Sequence, residues 1–278
     1  MKVTLLITCG ASLLTNALKD TKSSYKLREY GLDKIMSMDI GSKEYEKVRD
    51  YADKGHEVFQ TLLDYIKADS IKASAELNTL ELFLRQHNLS YNDVKIYLYR
   101  SDTSVGLLIA NVLEHYLKGK GSSVNTIEVK GFGTAKTLDE FQEGMVNLMT
   151  EIIKITKNIK VKDNQNRVYV FATAGFKPET TAAVIAALLA QADGIYYVHE
   201  SSRNLVEIPA IPLAIREDAL KLLDRVFHIR TGISSVSAND IDADIRSRLE
   251  FMGLVKRSGS GYERLEIREW VKELLQYK

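Results

Sequence analysis

Five short runs of apolar and β-branched residues, ending by residue 199, constrain this chain more than any other feature. "VTLLIT" (3–8) is almost continuously apolar, and "VKIYLYR" (94–100), "VNTIEVK" (124–130), "RVYVFAT" (167–173) and "GIYYVH" (194–199) follow it. A half-buried strand alternates apolar with polar residues, whereas a continuous run belongs to a strand covered on both faces. Between the runs, Val48, Ala52, Phe59, Leu62, Leu63 and Ile66 recur at helical spacing, as do Leu138, Phe141, Met145, Leu148, Met149, Ile152 and Ile153. Strands alternating with amphipathic helices predict an α/β domain with a Rossmann-like, mostly parallel sheet.

The segment "PETTAAVIAALLAQA" (178–192) is apolar around most of its circumference and rich in alanine, so it is expected as a central helix packed closely on that sheet. Pro178 suits its first turn, where a missing N–H costs nothing, and the helix therefore begins beside Lys177. After "EIPAIPLAI" (207–215), whose two prolines mark an irregular crossing, the β/α rhythm stops. The remainder reads as helix, helix, hairpin, helix, with "VKRSGSGYERLEI" forming two β-compatible runs around a glycine turn. The expected division is an α/β domain over 1–212 and a winged helix-turn-helix-like module over 213–278, and the length suits one large domain with a smaller appendage.

Charge narrows the function classes. Lys plus Arg (38) nearly cancels Asp plus Glu (37), so no global field attracts nucleic acid or an anionic membrane, and any basic site must be local. Cys9 is the only cysteine, which excludes an intrachain disulfide and a multi-cysteine zinc site and fits a reducing compartment, expected to be the cytoplasm. The apolar start "MKVTLLITCG" is too short for a leader or a membrane span and reads as a first buried strand.

In open α/β sheets ligands bind outside the carboxyl ends of the strands. Two loops leaving strands there carry suitable groups: "CGASLLTN" (9–16) with Gly10, Ala11, Ser12 and Asn16, and "TAGFKPET" (173–180) with Thr173, Ala174, Gly175, Phe176 and Lys177. Gly10 and Gly175 let backbone approach a ligand, and the helix opening at Pro178 offers unpaired N–H groups and a positive dipole end, with Lys177 adding a full charge. Spacing alone equally fits ordinary βα turns, with Ser12 as a helix cap and Lys177 in solvent; neither loop is a Walker or GxGxxG motif. Arg100 ends its strand on the same edge, fit to hold a phosphate or simply to face solvent, and Asn16 and Thr173 suit ribose or phosphate contacts as well as capping and turn roles.

"GASLLTN" and "TAGFKPE", together with "ASAELNTL" (73–80), "SDTSVG" (101–106), "TLDEFQEGMVNLM" (137–149) and "YYVHES…EIPAIPL" (196–213), resemble the CARF-domain family of type III CRISPR systems, in the branch of standalone archaeal ring nucleases. The resemblance spans about residues 1–215. It implies a homodimer whose two Rossmann-like domains form a two-fold pocket for a cyclic oligoadenylate, cyclic tetra-adenylate. It further implies metal-independent cleavage of that ring, supported by a serine of the first loop and a lysine of the "GFK" loop, which match Ser12 and Lys177. Linear di-adenylates with 2′,3′-cyclic phosphate ends are the implied products. Ala11 departs from the more usual "GTS", removing a hydroxyl. The alternative is a ligand-sensing regulator that binds DNA through the winged module without cutting the ring.

No cofactor or metal is expected, since the histidines at 56, 87, 115, 199 and 228 are scattered and the ribose 2′-OH is its own nucleophile. Arg49 and His56 are the only pair spaced like the catalytic residues of HEPN ribonucleases, and they fall inside the first domain; His199, closing a strand, reads as structural. "DIDADI" (240–245) lacks the glycine and glutamate of a calcium loop and reads as a helix start, with Ser237 and Asp240 opening a helix over 238–252. Arg246, Arg248, Lys256, Arg257 and Arg264 are interleaved with Asp240, Asp242, Asp244, Glu250, Glu263 and Glu266, which favours dimerisation or covering of the pocket over DNA binding.

Overall fold

A computed structural model describes residues 2–133, 138–175, 177–198 and 204–276, leaving aside the side chains of 138 and 139. The first strand, β1 (Val3–Thr8), is buried at every position, which is why its sequence does not alternate. The other strands of its sheet are β2 (Val94–Ser101), β3 (Ser123–Val129), β4 (Arg167–Phe171), β5 (Gly194–Val198) and β6 (Leu205–Ile208). They stand in the order β3-β2-β1-β4-β5-β6. The pairings of β1 through β5 are parallel, with Val3 opposite Val94 on one side and Arg167 on the other; β6 closes the edge antiparallel to β5. The mixed α/β class expected from the sequence is the one observed.

Each face of the sheet has its own helical layer. Leu5, Ile7, Ile96 and Leu98 point to a core filled by Phe59, Leu62, Leu80, Phe83, Leu108 and Leu113 from the helices Glu57–Ala68, Ala75–Gln86 and Ser104–Gly119. Leu6, Val168, Val170 and Ile195 point the other way, to Ile152, Ile153, Ala183, Ala186 and Ala187 of the helices Leu138–Lys162 and Lys177–Ala190. Alanine at five buried positions of the second of these helices removes the bulk that would otherwise hold it away from the sheet and from its neighbour.

Three local expectations are corrected. The helical spacing over 48–66 is split: a 3-10 turn over Lys47–Ala52 ends before Gly55, and the α-helix restarts at Glu57 with His56 Nδ1 accepting from the Val58 N–H at 3.2 Å. The proline-marked crossing contains one more strand, since Leu205–Ile208 pairs with β5 before Pro209, which has no N–H to extend the ladder. Near the C-terminus the helix opens at Ala243 instead of 238, because Asp242 caps it, accepting from the N–H groups of Asp244 at 2.9 Å and Ile245 at 3.2 Å; Ser237 precedes, and Asp240 ends, a separate 3-10 turn.

The C-terminal part keeps the expected order: helix Glu217–Phe227, helix Ala243–Phe251, the hairpin β8 (Val255–Ser258) and β9 (Arg264–Ile267), and helix Glu269–Leu275. A further short strand, β7 (Ser235–Ser237), completes a three-stranded antiparallel sheet ordered β7-β9-β8. Leu249, Leu265, Val271 and Trp270 belong to the same apolar cluster as Ile152 and Ala186, so this part shares its core with one face of the large sheet. Arg268 Nη1 donates to Glu143 at 2.8 Å, and Lys256 stands 3.9 Å from the same carboxylate, fastening the hairpin to the helix Leu138–Lys162. Among the described residues, no helix is long and apolar enough to cross a membrane.

Candidate functional site

The strand order fixes where a site can form. From β1 the chain builds outward through β2 and β3, then returns to the far side of β1 with β4, so the loops after β1 and β4 diverge at one switch point. There they touch. A Cβ built on Gly10 would lie 2.6 Å from the Gly175 nitrogen, backbone against backbone, and Gly175 itself has φ +108°, a conformation that favours glycine. Thr8, buried at the end of β1, sends its hydroxyl to the Ala174 carbonyl at 2.5 Å and seats the second loop from below. The two loops thus meet through their backbones at Gly10 and Gly175.

Ser12 is the first residue of the helix Ser12–Ala17, whose N-cap is Ala11. Its hydroxyl donates to Glu76 Oε2 at 2.9 Å and accepts from the Ala75 N–H at 3.0 Å. The other oxygen of Glu76 accepts from the Gly10 N–H at 2.7 Å. Glu76 is 2 % exposed, and burial pushes its carboxyl above the ordinary range against the hydrogen bonds from Gly10, its own N–H, Ser12 and Ser74. Sequence reasoning passed over this residue. A glutamate in the first turn of a helix, two after the capping Ser74, looks like a dipole-favouring surface acid, and only the fold shows it turned inward.

Ser12 opens onto a cleft of about 790 Å³ shared with Asn16, Lys19, Tyr65, Asn78 and Thr173. Asn78 Oδ1 is buried there without a hydrogen-bond partner among the described residues, and Lys19 is exposed at the rim. Asn16 donates to the carbonyls of Lys72 and Ala73 at 3.2 and 3.3 Å, and Thr173 Oγ1 lies 2.8 Å from Thr79 Oγ1 while accepting from the Val198 N–H at 3.3 Å. Ala11, Gly10 and Gly175 face a second, more apolar cavity of about 320 Å³ with Met36, Ile40 and Phe132. Its far wall is held by Asp102, whose carboxylate accepts from the N–H groups of Gly131, Phe132 and Gly133 at 3.0, 3.1 and 2.5 Å.

Other expected site residues stand elsewhere. Arg100 lies opposite Glu128 in the β2–β3 register and pairs with it at 2.5 Å, its side chain 11 % exposed, so the strand pairing claims its charge and it does not line the Ser12 cleft. Ala174 is buried, its carbonyl turned to Thr8. Lys177 is the exposed first residue of the helix Lys177–Ala190 and lines a third cavity, of about 670 Å³, with Met145, Met149, Ile185, Met252 and Trp270. Ser12 and Lys177 thus belong to abutting loops but open onto different cavities of one chain. Phe176 and His199 lie outside the described residues. Arg49 turns to Glu46 at 3.8 Å while His56 caps its helix and stacks on Tyr51 at 4.6 Å, so these two form no joint site.

Cys9 adjoins the same crossing; burial, then the charges of Glu76 and Glu179, push its thiol up against the pull of Arg100. Glu179, buried in the first turn of its helix, brings a carboxylate oxygen to within 2.7 Å of where a Gly175 Cβ would stand. Among the described residues no group of three or more histidine, cysteine, aspartate or glutamate side chains is arranged to hold a metal ion. The Ser12 cleft as built presents the unpaired Asn78 Oδ1 and the Lys19 ammonium beside Ser12.

Residues 71–211 match the family described as CRISPR-associated protein (Cas_APE2256), a span that takes in Glu76, Asn78, Thr173, Gly175 and Lys177. That is just over half of the chain, and it supports a CRISPR-related role: the chain belongs to the CRISPR-associated protein family Cas_APE2256.

Proposed function

We propose that this protein is a metal-independent ring nuclease that cleaves cyclic tetra-adenylate to linear di-adenylates with 2′,3′-cyclic phosphate ends and so switches off type III CRISPR signalling. The observation that carries this reading is the contact of Gly10 with Gly175 at the switch point, with Ser12 facing a polar cleft on the same edge. A ribose 2′-OH beside each phosphodiester supplies the nucleophile, so the protein need only align attack opposite the leaving 5′-oxygen and stabilise charge on the phosphorane. Lys177, exposed at a helix N-terminus, is suited to that charge. Because Ser12 and Lys177 open onto different cavities of one chain, the reading requires a ring that lies across a two-fold pair of chains and touches both.

The rival reading is a sensor that regulates transcription through its C-terminal part. The basic side chains there are largely engaged within the chain: Arg257 with Glu250 at 2.6 Å, Arg246 with the Ala238 carbonyl at 2.7 Å, Lys256 and Arg268 with Glu143. That arrangement favours a part that braces the sheet domain over one that grips phosphates. Incubating purified protein with cyclic tetra-adenylate in EDTA separates the two: linear fragments by chromatography are expected, and an intact ring overturns the enzyme reading. Lys177→Ala is expected to lower turnover ~100- to 1,000-fold while ring binding persists.

A further inference from the structure

Glu76 is an expensive way to hold two segments together. It is buried, its carboxylate is met by neutral donors, and none of the ion pairs among the described residues includes it. A neutral glutamine of the same shape would tie the first loop to the helix Ala75–Gln86 without desolvating a charge. The geometry of its partner shows what the charge does. A serine hydroxyl has one hydrogen and two lone pairs. In Ser12 the hydrogen is committed to Glu76 at 2.9 Å and one lone pair to the Ala75 N–H at 3.0 Å. The carboxylate cannot swing away, because its second oxygen holds the Gly10 N–H at 2.7 Å.

One lone pair therefore remains on Ser12, and it meets a ligand only as an acceptor. The non-bridging oxygens of a phosphodiester are acceptors too and cannot bond to it; the 2′-OH beside them is a donor and can. We propose that Glu76 is the positioning residue behind Ser12, keeping that hydroxyl turned as an acceptor toward the ribose 2′-OH and taking up the proton relayed through it. The proposal rests on the ring-nuclease reading and specifies how its nucleophile is activated. In the step, the 2′-OH proton passes to Ser12 Oγ as the Ser12 proton passes to Glu76 Oε2. The bond from the 2′-oxygen to phosphorus forms, the bond from phosphorus to the 5′-oxygen breaks, and that oxygen takes a proton from water. Glu76 returns its proton to solvent after release.

The groups facing Glu76 are the Gly10 N–H, Ser12 and Ser74, with the Cys9 thiol coupled to it and Glu179 and Arg100 acting on that thiol from the neighbouring helix and strand. The test is single-turnover cleavage of cyclic tetra-adenylate over roughly pH 4 to 8 by wild type, Ser12→Ala, Glu76→Gln and the double variant, with ring binding and thermal melting measured alongside. Wild type should show a rate that climbs with pH as Glu76 ionises and then levels. Glu76→Gln should bind the ring, cut it ~100-fold or more slowly and lose the acid limb, because Gly10 claims its carbonyl and turns its NH₂ toward Ser12, reversing that bond. The double variant should be no slower than the slower single one.

Wild-type rates in Glu76→Gln, a retained acid limb, or additive losses would overturn the proposal. If Glu76→Gln does not fold, Ser12→Ala carries the test: severing the relay at the hydroxyl must also remove the acid limb, and its persistence overturns the role. A wild-type protein that leaves the ring intact overturns the ring-nuclease reading and this role with it, whereas a cutting wild type with an indifferent Glu76→Gln overturns this role alone.

Discussion

Replacing Gly10 by alanine tests the crossing of the two loops most directly. The new Cβ would sit 2.6 Å from the Gly175 nitrogen, 3.2 Å from its Cα and 3.5 Å from the Ala174 carbonyl carbon, all backbone atoms with no rotamer to yield. Ordinary contact begins near 3.4 Å, so the loops must part by about 0.8 Å. The hydrogen bonds from Thr8 to Ala174 at 2.5 Å and from Gly10 to Glu76 at 2.7 Å resist that parting. Overpacking of this kind costs about 1–3 kcal/mol, offset by about 0.4–1 kcal/mol because alanine has less freedom to lose on folding. Gly10 is not among the glycines with positive φ, so alanine adds no further backbone strain there. The net loss of at most ~2.6 kcal/mol corresponds to a melting temperature lower by up to about 4 °C in a chain of 278 residues. Turnover should suffer more, by ~100-fold, since Ser12 is displaced with its loop. Differential scanning calorimetry and single-turnover assays read the two effects. Wild-type melting together with wild-type turnover would refute the claim that this contact sets the site.

The charge on Glu76 predicts a second dependence, of stability on pH. Burial holds its folded-state pKa above the ordinary 4.5, so the native state binds the proton more tightly than the unfolded one. Stability should fall as pH rises from about 4.5 through the folded value and level beyond it, by ~1.4 kcal/mol for each tenfold by which folding tightens the hold on that proton. Glu76→Gln should abolish that slope and melt at or above wild type at neutral pH, as urea titrations at several pH values would show. At the other end of the chain, Glu143→Ala removes the shared partner of Arg268 and Lys256 and should cost ~1–2 kcal/mol, with faster hydrogen exchange in the helix Glu269–Leu275. Lys19→Ala should weaken ring binding a few-fold and reduce its salt dependence, because this lysine shares the Ser12 cleft.

How much of the fold and of the site is legible in the sequence differs from residue to residue. The nearly continuous apolar run at 3–8 announces a strand covered on both faces, because burial on two sides leaves no room for alternation. Gly10 and Gly175 are visible as turn glycines, and Lys177 beside Pro178 as a helix start. Arg100 misleads because the group that claims it is a long-range partner: Glu128 reaches it only through the register of β2 against β3, which no spacing along the chain reveals. Glu76 is hidden for the same reason, its partners Gly10 and Ser12 lying 66 and 64 residues earlier. The strand at 205–208 escapes notice because four residues next to a proline carry too little periodicity to separate from a loop.

The placing of β1 between β2 and β4 has a consequence for synthesis. A nascent chain emerging from the ribosome possesses Ser12 and its loop almost at once, yet the strand that must flank it, and the helix ending at Ala190, are made long afterwards. Until then one long edge of β1 has no hydrogen-bonding mate and Gly10 has nothing to rest against. A truncated translation product ending before β4 would therefore be inert as well as sticky, and any ligand affinity would arise late and abruptly, only once the second half of the sheet has docked.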